Sequence, residues 1–65
     1  MEEDIVFLVI KSYDYGDSEV VGAFRDPEKA WEIAGIVAGP DAVRKIDAYV
    51  LEGYFQTWVH KVRVC

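Results

Sequence analysis

Between Asp4 and Tyr13 both alternating sets of side chains are apolar: Ile5, Phe7 and Val9 on one side, Val6, Leu8 and Ile10 on the other. A strand of that composition is expected to be covered on both faces. The segment YDYGDSE, residues 13 to 19, is rich in Asp, Ser and Gly and predicts a turn. EVVGAF, residues 19 to 24, predicts a second strand that closes an antiparallel hairpin.

The pattern then changes period. Asp26 is suited to cap a helix, because its carboxylate can accept from the free N–H groups of the first turn. Pro27 has no N–H to leave unpaired at the first position, and Glu28 favours the positive end of the helix dipole. Gly39 predicts a left-handed cap and Pro40 a stop. At 100° per residue Ala30, Ile33, Ala34 and Val37 share a face, flanked by Trp31 and Ala38, with Glu28, Lys29 and Glu32 opposite. That is a helix laid on a sheet. Gly35 costs about 1 kcal/mol relative to Ala in mid-helix, so it implies a close backbone approach. Ile36 points toward the polar side, as a stray exposed residue or part of a contact patch.

After the helix, AVRKIDAYVLE alternates as one third strand, with Ile46, Ala48 and Val50 against Lys45, Asp47, Tyr49 and Leu51. EGYF predicts a turn. QTWVHKVRV alternates as a fourth strand, Trp58, His60, Val62 and Val64 against Val59, Lys61 and Arg63. The expectation is therefore an α+β fold: residues 1 to 65 as one small domain, ββαββ, an antiparallel sheet with one helix packed on one face.

Size sharpens that picture. Chains of 65 residues bury only roughly 60% of the surface their unfolded state exposes. Disulfides, a metal or oligomerisation are the usual additions in so small a domain, and this sequence holds one Cys65 and one His60. One helix can cover one sheet face, yet the first strand is apolar on both sides and Tyr49, Leu51, Tyr54 and Trp58 add more apolar surface. A homodimer through an open aromatic face or a protein partner would resolve the excess. The alternative is that the N-terminus and the aromatic tail fold back over it.

Charge divides the chain. The formal net charge is −5. Residues 1 to 41 hold ten carboxylates against three cations, a balance of −7, and residues 42 to 65 come to +2. Direct nucleic-acid binding is disfavoured by that sign. The carboxylates Glu2, Glu3, Asp4, Asp14, Asp17, Glu19, Asp26, Glu28 and Glu32 could converge on an anionic, tyrosine-studded surface that imitates a phosphate backbone toward a basic groove. The plainer reading of the same charges is solubility. The run IVFLVI is too short to span a bilayer and no basic leader precedes it, so no membrane role is expected and the location is read as intracellular and reducing.

Candidate chemistry adds little. His60 lacks companions for a metal set, and Cys65 has no neighbouring base. Ser12, Ser18 and Thr57 lie in no nucleophile elbow, and the glycines form no phosphate-cradling loop. Asp14, Asp17 and Glu19 fall short of a calcium loop in ligand number and spacing. The expectations are accordingly no enzyme, no cofactor, no metal and no catalytic residue. A small-ligand site at a dimer seam, lined by Trp58, Tyr54 and His60, is a lesser possibility.

The strings VFLVIKSYDYG, VVGAFRDPEKAWEIA and DAYVLE, spanning about residues 5 to 52, resemble small uncharacterised domains of phage and mobile-element genomes. There a strand ending in Ser-Tyr precedes a Gly-x-Phe strand and a Glu-Lys-Ala helix. Size, acidity and the want of catalytic residues also look like the anti-CRISPR class of phage proteins. That resemblance implies a non-enzymatic inhibitor of a host protein or ribonucleoprotein defence complex, acting in the cytoplasm of a bacterial host. It transfers no site residues.

Overall fold

The computed structural model describes residues 4 to 64. Five strands and one helix follow in the order β1 (Asp4–Tyr13), β2 (Ser18–Phe24), α1 (Pro27–Ala38), β3 (Val43–Arg44), β4 (Tyr49–Leu51) and β5 (Phe55–Val64). The strands form one antiparallel sheet in the order β2-β1-β5-β4-β3, with α1 packed on one side. The fold is α+β, as the pattern predicts, with five strands where ββαββ would have four. The chain's final strand, β5, occupies the middle of the sheet, paired along its whole length with β1.

The extra strand corrects the expected run of residues 42 to 52. AVRKIDAYVLE is broken by a tight reversal at residues 45 to 48, where the Lys45 N–H donates to the Ala48 carbonyl at 2.7 Å. Val43 then pairs with Val50 and Arg44 with Tyr49. Ile46, placed by alternation on a sheet face, sits at the tip of the reversal and is 98% exposed.

The helix begins as its sequence dictates. The Asp26 carboxylate accepts from the Glu28 N–H at 3.0 Å, and Pro27 takes the first turn. At the other end the Gly39 N–H donates to the Gly35 carbonyl at 3.1 Å. Gly39 has φ 87° and ψ 172°. The positive φ explains the glycine, but the extended ψ departs from the left-handed helical cap expected and sends the chain away from the helix axis toward β3.

The fully buried side of α1 is a stripe of small residues: Ala30 and Ala34 from the predicted face, with the flanking Ala38 in place of Ile33 and Val37, which are half-buried. Small side chains let the helix lie close on the sheet. Ala30 and Ala34 meet Val9 at the centre of β1, all three with no exposed surface, and Phe7, Phe24, Trp31, Ile33, Tyr49 and Val59 pack around them. Gly35 belongs to the same contact. A β-carbon there would sit 3.0 Å from the Tyr49 hydroxyl oxygen and 3.1 Å from its Cζ. The close approach implied by that glycine is thus the ring of Tyr49.

Register assigns the faces. Residues directly opposite in an antiparallel ladder share a side, so Phe7, Val9, Val59, Thr57 and Tyr49 lie under the helix. Val6, Leu8, Ile10, Trp58 and Val62 lie on the other face. Among the described residues nothing covers that second face, so the expected two-sided cover of β1 is realised on one side. The aromatic tail does not fold back over it, because Phe55 to Val64 is itself the central strand. The N-terminal half of that alternative lies outside the described residues.

Candidate functional site

Two surfaces carry the features that the sequence singles out: the open sheet face and the end of the sheet at which β1 turns into β2.

At that end, the turn after β1 is closed by Tyr13 N–H to the Asp17 carbonyl at 2.7 Å and Gly16 N–H to the Tyr13 carbonyl at 3.0 Å. A second turn, between β4 and β5, lies beside it, because the Asp14 N–H donates to the Tyr54 carbonyl at 2.9 Å. The two turns together bring Asp14, Asp17 and Glu19 to the same end as Glu52. Tyrosines stand among them. Tyr13 and Tyr15 stack with ring centres 5.2 Å apart, and Phe55 meets Tyr13 edge-on at 6.3 Å. Tyr15 is 74% exposed and Tyr54 66%.

One cation enters this cluster. The Lys11 ammonium lies 4.2 Å from the Phe55 ring centre and 5.2 Å from that of Tyr13, within the range of a cation–π contact. The Tyr13 hydroxyl donates to Glu19 Oε1 at 3.1 Å. Partial desolvation of the ring, together with the neighbouring Glu19 carboxylate, holds the Tyr13 phenol above its ordinary value. Tyr13 therefore stays a neutral donor, locking β2 to the end of β1.

The nine carboxylates named from the sequence do not form one surface. Glu2 and Glu3 lie outside the described residues. Asp14, Asp17 and Glu19 are at the turn end. Asp4, Asp26 and Glu28 are at the far end, separated by the length of the ten-residue β1, about 30 Å. Their charge there is partly engaged: Arg25 reaches Asp4 at 3.4 Å, and Asp26 caps the helix. Glu32 stands on the outer side of α1 beside Lys29 at 4.0 Å. Glu52 joins the turn-end group although its own segment of sequence is net basic. The pairing of β1 with β5 places its turn there.

The four residues expected on an aromatic assembly face are likewise divided. Trp58 lies on the open face. Tyr49 lies on the helix side, its ring 6.2 Å from that of Trp31, with the Arg44 guanidinium 4.0 Å over Trp31 and 5.0 Å from Tyr49. Leu51 shares the side of Tyr49 by register, and Tyr54 sits in the turn. The open face is instead built mainly from β1 and β5 aliphatics. The signal for it was the double alternation of residues 5 to 10.

His60 is exposed on that open face, opposite Leu8. The expected seam of Trp58, Tyr54 and His60 is not assembled within one copy, since Tyr54 is in the turn between β4 and β5. A recess of about 300 Å³ does lie beside Trp58, lined also by Asp47, Ala48, Gln56 and Val59. Among the described residues no three His, Cys, Asp or Glu side chains gather as a metal-holding group, and no helix is long and apolar enough to cross a membrane.

No family model, no curated protein and no solved structure matches the chain.

Proposed function

We propose that this protein is a non-enzymatic binding module whose turn end engages a basic protein surface, acting as an inhibitor of the anti-CRISPR type against a nucleic-acid-binding complex. The observation that carries the reading is the hydrogen bond between Asp14 and Tyr54, which joins two turns into one surface of four carboxylates and three tyrosines. Tyrosine supplies rigid contact area at low conformational cost, and clustered carboxylates complement a groove lined with Lys and Arg. The far-end carboxylates contribute less, because Arg25 and the helix cap already use two of them.

This keeps Asp14, Asp17 and Glu19 of the nine expected carboxylates and adds Glu52. The test is target-DNA binding by a purified CRISPR effector complex, measured with the wild-type protein and with a variant carrying Asp14→Lys, Asp17→Lys and Glu19→Lys, at low and at physiological salt. The wild type should exclude DNA more strongly at low salt, and the reversed variant should lose that effect while keeping its circular-dichroism spectrum. Undiminished exclusion by the reversed variant, or none by the wild type, removes the reading.

A further inference from the structure

We infer that the open face of the sheet is the contact surface for a second copy of this chain, giving a four-layer assembly with two sheets face to face and a helix outside each. This surface is distinct from the turn end and does not depend on the function proposed for that end.

The composition of the face identifies its occupant. Val6, Leu8, Ile10, Trp58 and Val62 are only half-buried, and Val20 is 59% exposed. At the ladder positions of this face the titratable groups are Asp4, at the start of β1, and His60. Asp47 borders the face at the recess beside Trp58, and the other charged residues in the described ladders, Lys11, Glu19, Arg44, Lys61 and Arg63, fall on the helix side. A chain of net charge −5 whose sheet face carries so few charged groups can approach a copy of itself with little concentration of like charge. A charged partner would find almost nothing here to pair with. The layout also follows that of specific interfaces: an apolar centre, with Asp4 at one end of the strands and Ser12, Ser18 and Gln56 at the other as a polar rim.

The area is that of a small interface, somewhat below the standard class. β1 and β5 are ten residues long, about 33 Å, and five strands span on the order of 20 Å. Allowing for the shorter β2, β3 and β4, the plane of the face comes to roughly 500 Å² before side-chain relief. Standard interfaces bury about 600 to 1,000 Å² per partner. The recess beside Trp58, bordered by Asp47 and Gln56, can take a side chain protruding from the facing sheet. Sheets packed in this way lie about 10 Å apart with their strands within about 30°.

Such pairing would also complete the expectation that β1 is covered on both sides. It adds by association to a core that is small in a domain of 65 residues.

The test is sedimentation velocity of the full chain across micromolar concentrations, beside three variants. His60→Glu is the decisive one. His60 is exposed in a single copy, so the change leaves folding intact, yet pairing would bury a carboxylate from each copy. The expected result is a wild-type dimer and a dimer Kd raised about a hundredfold or more in His60→Glu. Val62→Glu should act alike, and Ile36→Glu, on the outer side of α1, should leave the dimer unchanged. A second measurement reads the contact itself: in a mixture of isotope-labelled and unlabelled chains, the Trp58 indole should show cross-copy contacts to aliphatic methyl groups. A wild type that is monomeric throughout overturns the inference. So does a dimer that His60→Glu leaves intact, or one without Trp58 cross-copy contacts, since association would then run through another surface such as the β2 edge. The Asp14, Asp17 and Glu19 reversals should not disturb the dimer, so the two proposals can fail separately.

Discussion

One strand supplies both sides of this molecule, and the two sides are finished differently. Val9 points under the helix and has no exposed surface, whereas its neighbours Leu8 and Ile10 point the other way and stay half-buried. Nothing in their hydrophobicity separates them. The difference comes from what lies above: on one side Ala30 and Ala34 bring a helix down onto the strand, and on the other the described residues provide no layer. Apolar character sets a demand for cover, and the number of helices decides how much of that demand one copy can meet.

The largest effect that would break this comparison is a carboxylate placed on each side in turn. Val9→Asp buries an unpaired charge beneath the helix, at a cost that exceeds the few kcal/mol available to a domain of this size. It should abolish the cooperative thermal transition. Val62→Asp, on the open side, should leave a folded chain with a stability loss of under about 2 kcal/mol, read by the same melt at a concentration where the wild type is monomeric. Equal damage from both would show that the second face is as closely packed as the first.

Next comes the contact that seats the helix. Gly35→Ala would gain about 1 kcal/mol of helix propensity, but its β-carbon presses on the Tyr49 ring. The ring is held by Trp31 and Arg44, so the substitution should be net destabilising by about 1 kcal/mol. With Tyr49→Ala already in place the same change should stabilise by about 1 kcal/mol. Denaturant melts of the four proteins give the coupling, and additive effects would deny the contact.

A subtler difference concerns Thr57, which is completely buried on the helix side with no hydrogen-bond partner for its hydroxyl among the described residues. Thr57→Val keeps the shape and removes the unpaired group, so stability should rise by roughly 1 kcal/mol. The smallest effect is at the turn end. Glu19→Gln removes the carboxylate that, after desolvation, raises the Tyr13 phenol. The Tyr13 titration midpoint, followed by its ring-carbon NMR signal, should move down toward the ordinary tyrosine value. Because the folded-state value is raised, the contribution from this group is present below the ordinary tyrosine range and fades as pH climbs through it.

Much of the local structure was legible. The bounds of β1 coincide with the strand predicted from Asp4 to Tyr13, the Asp-Pro-Glu start of α1 caps as its chemistry requires, and the alternation of residues 56 to 64 assigns the faces of β5 correctly. The reversal at residues 45 to 48 was not legible. It contains no Gly or Pro, and Lys45 to Ala48 continues the alternation of a strand while the backbone turns back. The rotation of α1 was also hidden, because Ile33 and Val37 outweigh alanine in any hydrophobic count. Close packing on a sheet instead favours the side with the least bulk.

The candidate surfaces divide along the same line. Asp14, Asp17 and Glu19 were bound to share a turn because they are sequence neighbours. Glu52 and Tyr54 joined them through the long-range ladder of β1 with β5, and Tyr49 falls on the helix side because it pairs opposite Thr57.

What the sequence determined by itself is whatever depends on residues a few positions apart: strand alternation, helix caps, the position of turns with Gly and Asp, and the excess of apolar surface over one helix's cover. These follow from backbone dihedrals and neighbouring side chains, which act at short range. Tertiary structure alone decided the strand order, the place of β5 at the centre, which side of α1 lies down and which carboxylates stand together. Those outcomes are set by packing and pairing between distant segments, where many near-equal local choices are resolved together by the one arrangement that fits Ala30 and Ala34 against Val9.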